Sequence, residues 1–285
     1  MRKCVNYIVA VITTLLLVGC GKAEMSDAEI IVSIEPLKYI VEEIVGDDFK
    51  IDVLVPAGAS PETYEPTPRQ MNTIGKAQMI FSTGLIEFEQ NILNRLAESE
   101  RVTNLSEGIS LIEGGCSHCN HDHGHAHGID PHVWTSPEEL RTMARNAHSR
   151  IMQAYPDSVK YSTAYQQLDK HIEHLSQKCR EMIESSHTTA FVIYHPALTY
   201  YARNYGIEQI AIENQGKEPS AKHIAEIIDL ARRNNIQCLL YQVEFPRSVV
   251  EVIAKDMGVE PTQINPLAEN PLQFIEDVTR IITQN

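Results

Sequence analysis

Asp157-Ser-Val-Lys-Tyr161-Ser-Thr-Ala-Tyr165-Gln-Gln-Leu168-Asp-Lys-His171-Ile172-Glu-His174-Leu175-Ser-Gln-Lys-Cys179-Arg-Glu-Met182-Ile-Glu-Ser-Ser186 is the stretch that decides the fold. It holds neither Gly nor Pro, and Tyr161, Tyr165, Leu168, Ile172, Leu175, Cys179 and Met182 recur at alternating steps of four and three. That spacing lays one apolar stripe along a single helix, which at 1.5 Å per residue would run about 45 Å. A coiled-coil seam would carry the repeat beyond three heptads and fill it mostly with Leu and Ile. The stripe therefore reads as a rigid bridge, with His171 and His174 as solvated borders rather than a metal pair.

On either side of the bridge, short β-branched runs alternate with helical stretches, the punctuation of an α/β fold. Ile30 to Ile34, Ile51 to Val55, Met79 to Ser82, Phe191 to Tyr194, Ile207 to Ile212, Leu239 to Val243 and Thr262 to Ile264 read as strands, and Leu37 to Val45 as a helix. A final helix starts at Pro271 behind an Asn270 cap. The expected organisation is an N-terminal lobe over 29–156, a linking helix over 157–186 and a C-terminal lobe over 187–285.

The chain has 285 residues, 43% hydrophobic and 22% charged, enough for a sizeable core. Its net charge of -14 offers no basic patch for a phosphate backbone, so nucleic acid is not an expected partner. Arg2 and Lys3 precede an apolar run from Val5 to Gly19 that is too short and too interrupted to span a membrane, and reads as an export signal. Its end, Leu17-Val18-Gly19-Cys20, resembles the lipobox of bacterial lipoproteins; the alternative is an ordinary signal peptide. Cleavage after residue 19 would leave Cys20 lipidated at the head of a tether over 20–28, on the outer side of the cytoplasmic membrane. Cys116, Cys119, Cys179 and Cys238 then remain, and in an oxidising compartment any two could pair.

Six of the twelve histidines lie between 118 and 132. Cys116, His118, Cys119, His121, His123, His125 and His127 form a loop dense in imidazole and thiol, with interspersed Gly and no apolar period. Such a loop would collect or pass on metal rather than build one rigid site. Cys116 and Cys119 have the spacing of half a structural zinc site, without a second pair to complete it, so a disulfide and a loose Cys and His site both stay open.

A tight site needs stiffer supports. His132 has them, with Pro131 before it, Val133-Trp134 after it, and a capping box in Ser136-Pro137-Glu138-Glu139 to start a helix. His195 ends a strand-like run and precedes Pro196, so it should project at the carboxyl end of a strand, where open α/β sheets bind ligands. Glu62 follows another strand on a loop stiffened by Pro61, Pro66 and Pro68, and should face the same crevice. His148, His187, His223, Glu244 and Glu251 read as surface groups.

Gly58-Ala-Ser-Pro-Glu62-Thr-Tyr-Glu-Pro-Thr-Pro68, Asp130-Pro-His132-Val-Trp-Thr-Ser-Pro137, His195-Pro-Ala-Leu-Thr-Tyr-Tyr201 and Glu213-Asn-Gln-Gly-Lys-Glu-Pro-Ser220 occur in that order. Together they resemble the cluster A-I solute-binding proteins of ABC importers for zinc or manganese, over nearly the whole mature chain. The His-rich loop resembles that of the zinc members. The resemblance implies two α/β lobes joined by a long helix, with a metal site in the cleft between them. It implies that His132 and His195 are metal ligands and that Glu62 stands where the family usually has His. Some members take an acidic ligand from an Asp before a late Pro-Leu; here Asn265 holds that place, so the carboxylate would have moved to Glu62 and left Asn265 as a weak ligand or a neighbour of the site.

The expected function is that of an extracytoplasmic lipoprotein, monomeric and not an enzyme, which captures Zn2+ and delivers it to an ABC permease. A manganese-binding member is the first alternative, and a surface adhesin of the same family would look alike. A zinc metallohydrolase would also use two His and one Glu, but His-Glu-x-x-His and Gly-x-Ser-x-Gly are both missing.

Overall fold

The computed structural model describes residues 29–96, 100–113, 128–213 and 219–284. The leader, Cys20 and the tether lie outside the described residues. Two four-stranded sheets, each wholly parallel, flank a layer of helices.

The first sheet runs β1 (Ile30–Val32), β2 (Ile51–Val53), β3 (Met79–Ser82) and β4 (Val102–Asn104), in the spatial order β2-β1-β3-β4. All three residues of β1 and all four of β3 are buried, as expected where helices cover both faces of a parallel sheet. Helix α1 (Glu35–Val45) starts on Pro36 and turns Leu37, Ile40, Val41 and Ile44 into the core; Gly46 ends it at φ 63°, a conformation that suits a residue without Cβ. Helix α2 (Pro68–Lys76) is capped by Thr67, whose hydroxyl accepts from Gln70 N while the Gln70 side chain accepts from Thr67 N. Helix α3 is Glu87–Leu96. Strand β4 was not expected from its sequence, because Val-Thr-Asn offers one apolar residue and no alternation to detect.

Helix α4 (Pro137–Ala154) and helix α5 (Val159–Ser186) pack side by side, and α5 also meets α1. Helix α5 has 28 residues, about 42 Å. Ser158 caps it by accepting from Tyr161 N, and Tyr161 Oη donates to Asp48 Oδ2 at 2.9 Å, pinning its start to the turn after α1. Arg141 grips Asp169 through two bonds of 2.6 and 2.9 Å between α4 and α5. The bridge helix is confirmed, but its stripe closes on Ile183, which is buried, while Met182 is only half-buried. The reason is geometric. On a straight helix three heptads, Tyr161 to Met182, accumulate a lag of about 60°, whereas two eleven-residue steps, Tyr161 to Ile183, lead by only about 40°. Tyr161, Ile172 and Ile183 are eleven apart.

The second sheet repeats the plan of the first, with β5 (Ala190–Ile193), β6 (Glu208–Ala211), β7 (Leu239–Gln242) and β8 (Pro261–Ile264) in the order β6-β5-β7-β8. Between them lie α6 (Thr199–Tyr205), α7 (Ala221–Arg233) and α8 (Arg247–Met257), and α9 (Pro271–Thr283) closes the chain against α5. Asn270 caps α9 by accepting from Gln273 N at 3.0 Å. In both sheets the order reverses between the first and third strands, and ligands of open parallel sheets sit beyond the carboxyl ends at such a point.

Hydrogen bonds sew the lobes together across that line. Trp134 Nε1 donates to Pro266 O at 2.9 Å, Thr135 Oγ1 to Ala197 O at 2.9 Å, and Tyr200 Oη to Asp130 O at 2.8 Å. The capping box expected at Ser136 does not form. Ser136 Oγ accepts from Asn204 Nδ2, and the buried Glu139 carboxylate pairs with Arg203 at 2.6 Å and Asn204 at 2.6 Å. The start of α4 is buried against α6, so these oxygens join the lobes instead of satisfying the helix's own amides. Among the described residues no helix is long and apolar enough to cross a membrane.

Candidate metal centre

Glu62 sits in a single 3-10 turn, Pro61–Thr63, beyond the carboxyl end of β2. Pro61 is buried and fixes the turn, and Tyr64, just past it, meets the Phe88 ring edge-on at 5.3 Å. His132 precedes another 3-10 turn, Val133–Thr135, whose three side chains are buried. His195 follows β5, and its backbone is held by one side chain: Gln242 Nε2 donates to His195 O at 2.6 Å while Gln242 Oε1 accepts from His195 N at 3.3 Å.

These three turns, distant in sequence, converge. One ligand atom from each of Glu62, His132 and His195 lies within 4.8 Å of the others. Glu62 Oε1 is 3.2 Å from His195 Nε2 and 3.8 Å from His132 Nε2. Tetrahedral bonds of 2.0–2.1 Å put neighbouring donors about 3.3 Å apart, so the spacing suits one divalent cation.

Each imidazole is oriented from behind by a carboxylate. His132 donates its Nδ1–H to Asp130 Oδ1 at 2.9 Å, and the same oxygen accepts His132 N at 2.9 Å. His195 Nδ1 lies 2.7 Å from Glu213 Oε2. Both rings thus present Nε2 to the cleft, the arrangement in which a carboxylate fixes the tautomer and raises the basicity of a ligating His. Burial alone would lower the basicity of His195, but its hydrogen bonds to Glu213 and Glu62 outweigh that and push its pKa up to about 10. The His195 hydrogen bond in turn holds Glu62 below the usual carboxylate range despite partial burial. Burial would raise Asp130, yet the adjacent His132 keeps it lowered. The centre is therefore poised for positive charge, and a cation can take the place of the shared proton. Asp130→Asn and Glu213→Gln should each weaken divalent-cation binding about 10- to 100-fold while leaving the thermal midpoint of the metal-free protein nearly unchanged; titration against a chelator of known affinity would check this.

Asn265 does not join the three. It is exposed, its Oδ1 accepts from Leu267 N at 3.0 Å, and the residues that reach the cleft from that segment are Pro266 and Leu267. An amide that can close a local turn with the backbone two residues on does so. Cys116, His118, Cys119, His121, His123, His125 and His127 lie outside the described residues.

Sequence reading passed over four contributors. Asp130 and Glu213 were quoted within motifs but given no role, Gln242 was not singled out, and Glu244, read as solvated, is half-buried and lines the cleft. Glu213 and Gln242 find their partner, His195, far away in sequence, whereas Asp130 meets His132 two residues on. His171 and His174 are exposed on α5 as expected. Glu251 also stays on the surface, paired with Arg247 at 2.8 Å. His148 does not behave as a surface group: it is half-buried and stacks on Tyr165 at 4.2 Å and 8°. His223 is half-buried as well, and His187 is the exposed left-handed residue that ends α5.

The α/β scaffold thus gathers two imidazoles and a carboxylate at one place. The family model for ZnuA, described as zinc-uptake complex component A, periplasmic, matches residues 30–284, and the chain belongs to that family. It is 27% identical over 282 residues to the zinc-binding lipoprotein AdcA of Streptococcus pneumoniae, an alignment covering 94% of this chain and 56% of that one. It is 25% identical over 276 residues to the high-affinity zinc uptake system protein ZnuA of Bacillus subtilis, covering 89% and 85%. A crystal structure of a ZnuA superposes with a TM-score of 0.80 at 29% identity, covering 90% of this chain and 97% of that one. The chain spans about half the length of AdcA.

Proposed function

We propose that the protein captures Zn2+ outside the cytoplasmic membrane, held there by lipid on Cys20, and hands it to the permease of an ABC importer. In that reading 1–19 is the leader, 20–28 the tether, and 29–156 and 187–285 the lobes that the helix over 157–186 joins. The observation that carries it is the convergence of Glu62, His132 and His195, each imidazole backed by its own carboxylate. A binding protein needs such a preset ligand shell. Two nitrogens with one oxygen suit zinc and accept manganese less well. The names of the relatives and the loop over 116–127 favour zinc.

Metal content of the purified mature protein, measured by mass spectrometry with zinc and manganese in competition, tests the proposal. About one tightly held zinc per chain is expected once the segment 116–127 is deleted; a preference for manganese would reverse the choice of metal. No zinc-dependent turnover of peptide or ester substrates is expected.

The interlobe hydrogen bonds of Trp134, Thr135, Tyr200 and Glu139 oppose a wide hinge. Capture should therefore proceed by local adjustment of the turns around 62 and 195. Solution scattering of metal-free and zinc-loaded protein is expected to give radii of gyration equal within error, and a marked compaction on loading would contradict this.

A further inference from the structure

Among the described residues, only Glu62, His132 and His195 bring ligand atoms within 4.8 Å of one another. Three donors leave part of a divalent ion's shell to be filled from elsewhere. The space beside them is far larger than an ion and a water need. The same three side chains line a cavity of about 310 Å³, whereas about 10–15 Å³ is enough to hold one water. That volume falls at the lower end of pockets for small organic molecules, roughly 300–1,000 Å³.

Its walls also suit an organic group better than a hydrated ion. Pro61, Trp134, Ala197, Phe245, Pro266 and Leu267 supply apolar surface. Two of them flank the imidazoles: the Trp134 ring lies 5.3 Å from that of His132, and the Phe245 ring 6.1 Å from that of His195 at an interplanar angle of 28°. Several polar groups of the cavity are already engaged. Glu213 is bonded to His195 Nδ1, the Gln242 amide to the His195 backbone, and Pro266 O to Trp134 Nε1. Glu244 is half-buried in the wall and makes no hydrogen bond or ion pair among the described residues. An acceptor so placed calls for a donor from whatever fills the space. Aromatic and apolar walls with a few uncommitted polar groups are the lining of a small-molecule site.

We infer that the cargo is the cation in complex with a small bidentate chelator of the amino-acid class, bound to it through an amine nitrogen and a carboxylate oxygen. The inference rests on the proposed capture function and names the form in which the metal is captured. Two chelator donors added to three from the protein make five, a number that zinc can reach. The charges close as well: one carboxylate from Glu62 and one from the chelator neutralise a doubly charged ion. A dicarboxylate would overshoot that balance and bring like charge toward Glu244, whereas a coordinated amine keeps N–H groups for Glu244 to accept. The amino-acid side chain would take up the apolar wall of Trp134, Phe245 and Leu267.

The test uses the mature protein with zinc alone and with zinc plus glycine, L-histidine or L-phenylalanine. Native mass spectrometry reads which species are held, and competition against a chromophoric chelator, corrected for zinc bound by the free amino acid, gives the affinities. A ternary adduct of protein, zinc and one amino acid is expected, with zinc affinity raised about 5- to 150-fold, the usual range of coupling between two ligands. The coupling is reciprocal, so the amino acid without zinc should bind more weakly by the same factor. The gain should be larger for histidine and phenylalanine than for glycine, and Leu267→Trp, which fills the cavity and alters no donor, should abolish it. Tight binding of zinc alone, with no ternary adduct and an affinity unchanged by all three amino acids, would overturn the inference and leave capture of the bare ion standing. A gain that survives in Leu267→Trp would put the amino acid elsewhere and overturn it too. A wild type that binds zinc neither alone nor with an amino acid would remove both readings.

Discussion

Replacing His195 with alanine should reduce zinc affinity on the order of a thousandfold, about 4 kcal/mol, and His132→Ala should do the same. A carboxylate that merely orients a ligand is worth 10- to 100-fold, and loss of the ligand itself must exceed that. Each substitution also strands a buried or half-buried acid, Glu213 behind His195 and Asp130 behind His132. An unpaired acid of that kind is driven to take up a proton. Glu62→Ala should cost less than either imidazole but still well over tenfold, because it removes the oxygen that both Nε2 atoms approach. Competition against a chelator gives all three values. An unchanged affinity in Glu62→Ala would show that the carboxylate beside the imidazoles is not a ligand.

The second large effect is on stability. Trp134 is the chain's one tryptophan and is 1% exposed. It packs 5.3 Å from the His132 ring and donates to Pro266 O across the lobe boundary. Trp134→Ala should destabilise the protein by about 3–5 kcal/mol through lost burial and the cavity left behind, with a further contribution from the orphaned carbonyl. For a chain of this size each kcal/mol lowers the melting temperature by about 2–4 °C, so a drop of roughly 6–20 °C is expected by calorimetry. Trp134→Phe keeps most of the volume but loses the N–H, and should lie between the two. In the wild type, zinc binding at His132 should alter the emission of this single indole, which makes it a built-in reporter.

The plan of the molecule was readable in the chain because it rests on local periods. Seven of the eight strands announce themselves as short apolar or β-branched runs, and the stripe from Tyr161 to Cys179 fixes the bridging helix. What escaped is what depends on neighbours far away in sequence. Val102–Asn104 is a strand because Ile80 and Phe81 pair with it, not because of its own composition. Ser136 and Glu139 have the pattern of a cap, yet Asn204 and Arg203 claim them, whereas in the cap that does form Thr67 is exposed and the buried Gln70 gives its Oε1 to Thr67 N while its Nε2 donates to Leu54 O. That Glu62, His132 and His195 converge was legible because Pro residues and strand ends stiffen their turns. Asp130, Glu213 and Glu244 were not, since a carboxylate in a turn has no local signature of what it faces.

The three converging side chains come from separate places in the fold, Glu62 on the turn after β2, His132 on the turn before α4 and His195 after β5. A metal bond of 2.0–2.1 Å tolerates little stretching, so a sideways slip of about 1 Å between the sheet ends is enough to strip one imidazole from the ion. Under the proposed capture role, unloading would call for a nudge rather than a yawning gape, and the hydrogen bonds that tie the lobes together would be no obstacle to letting go.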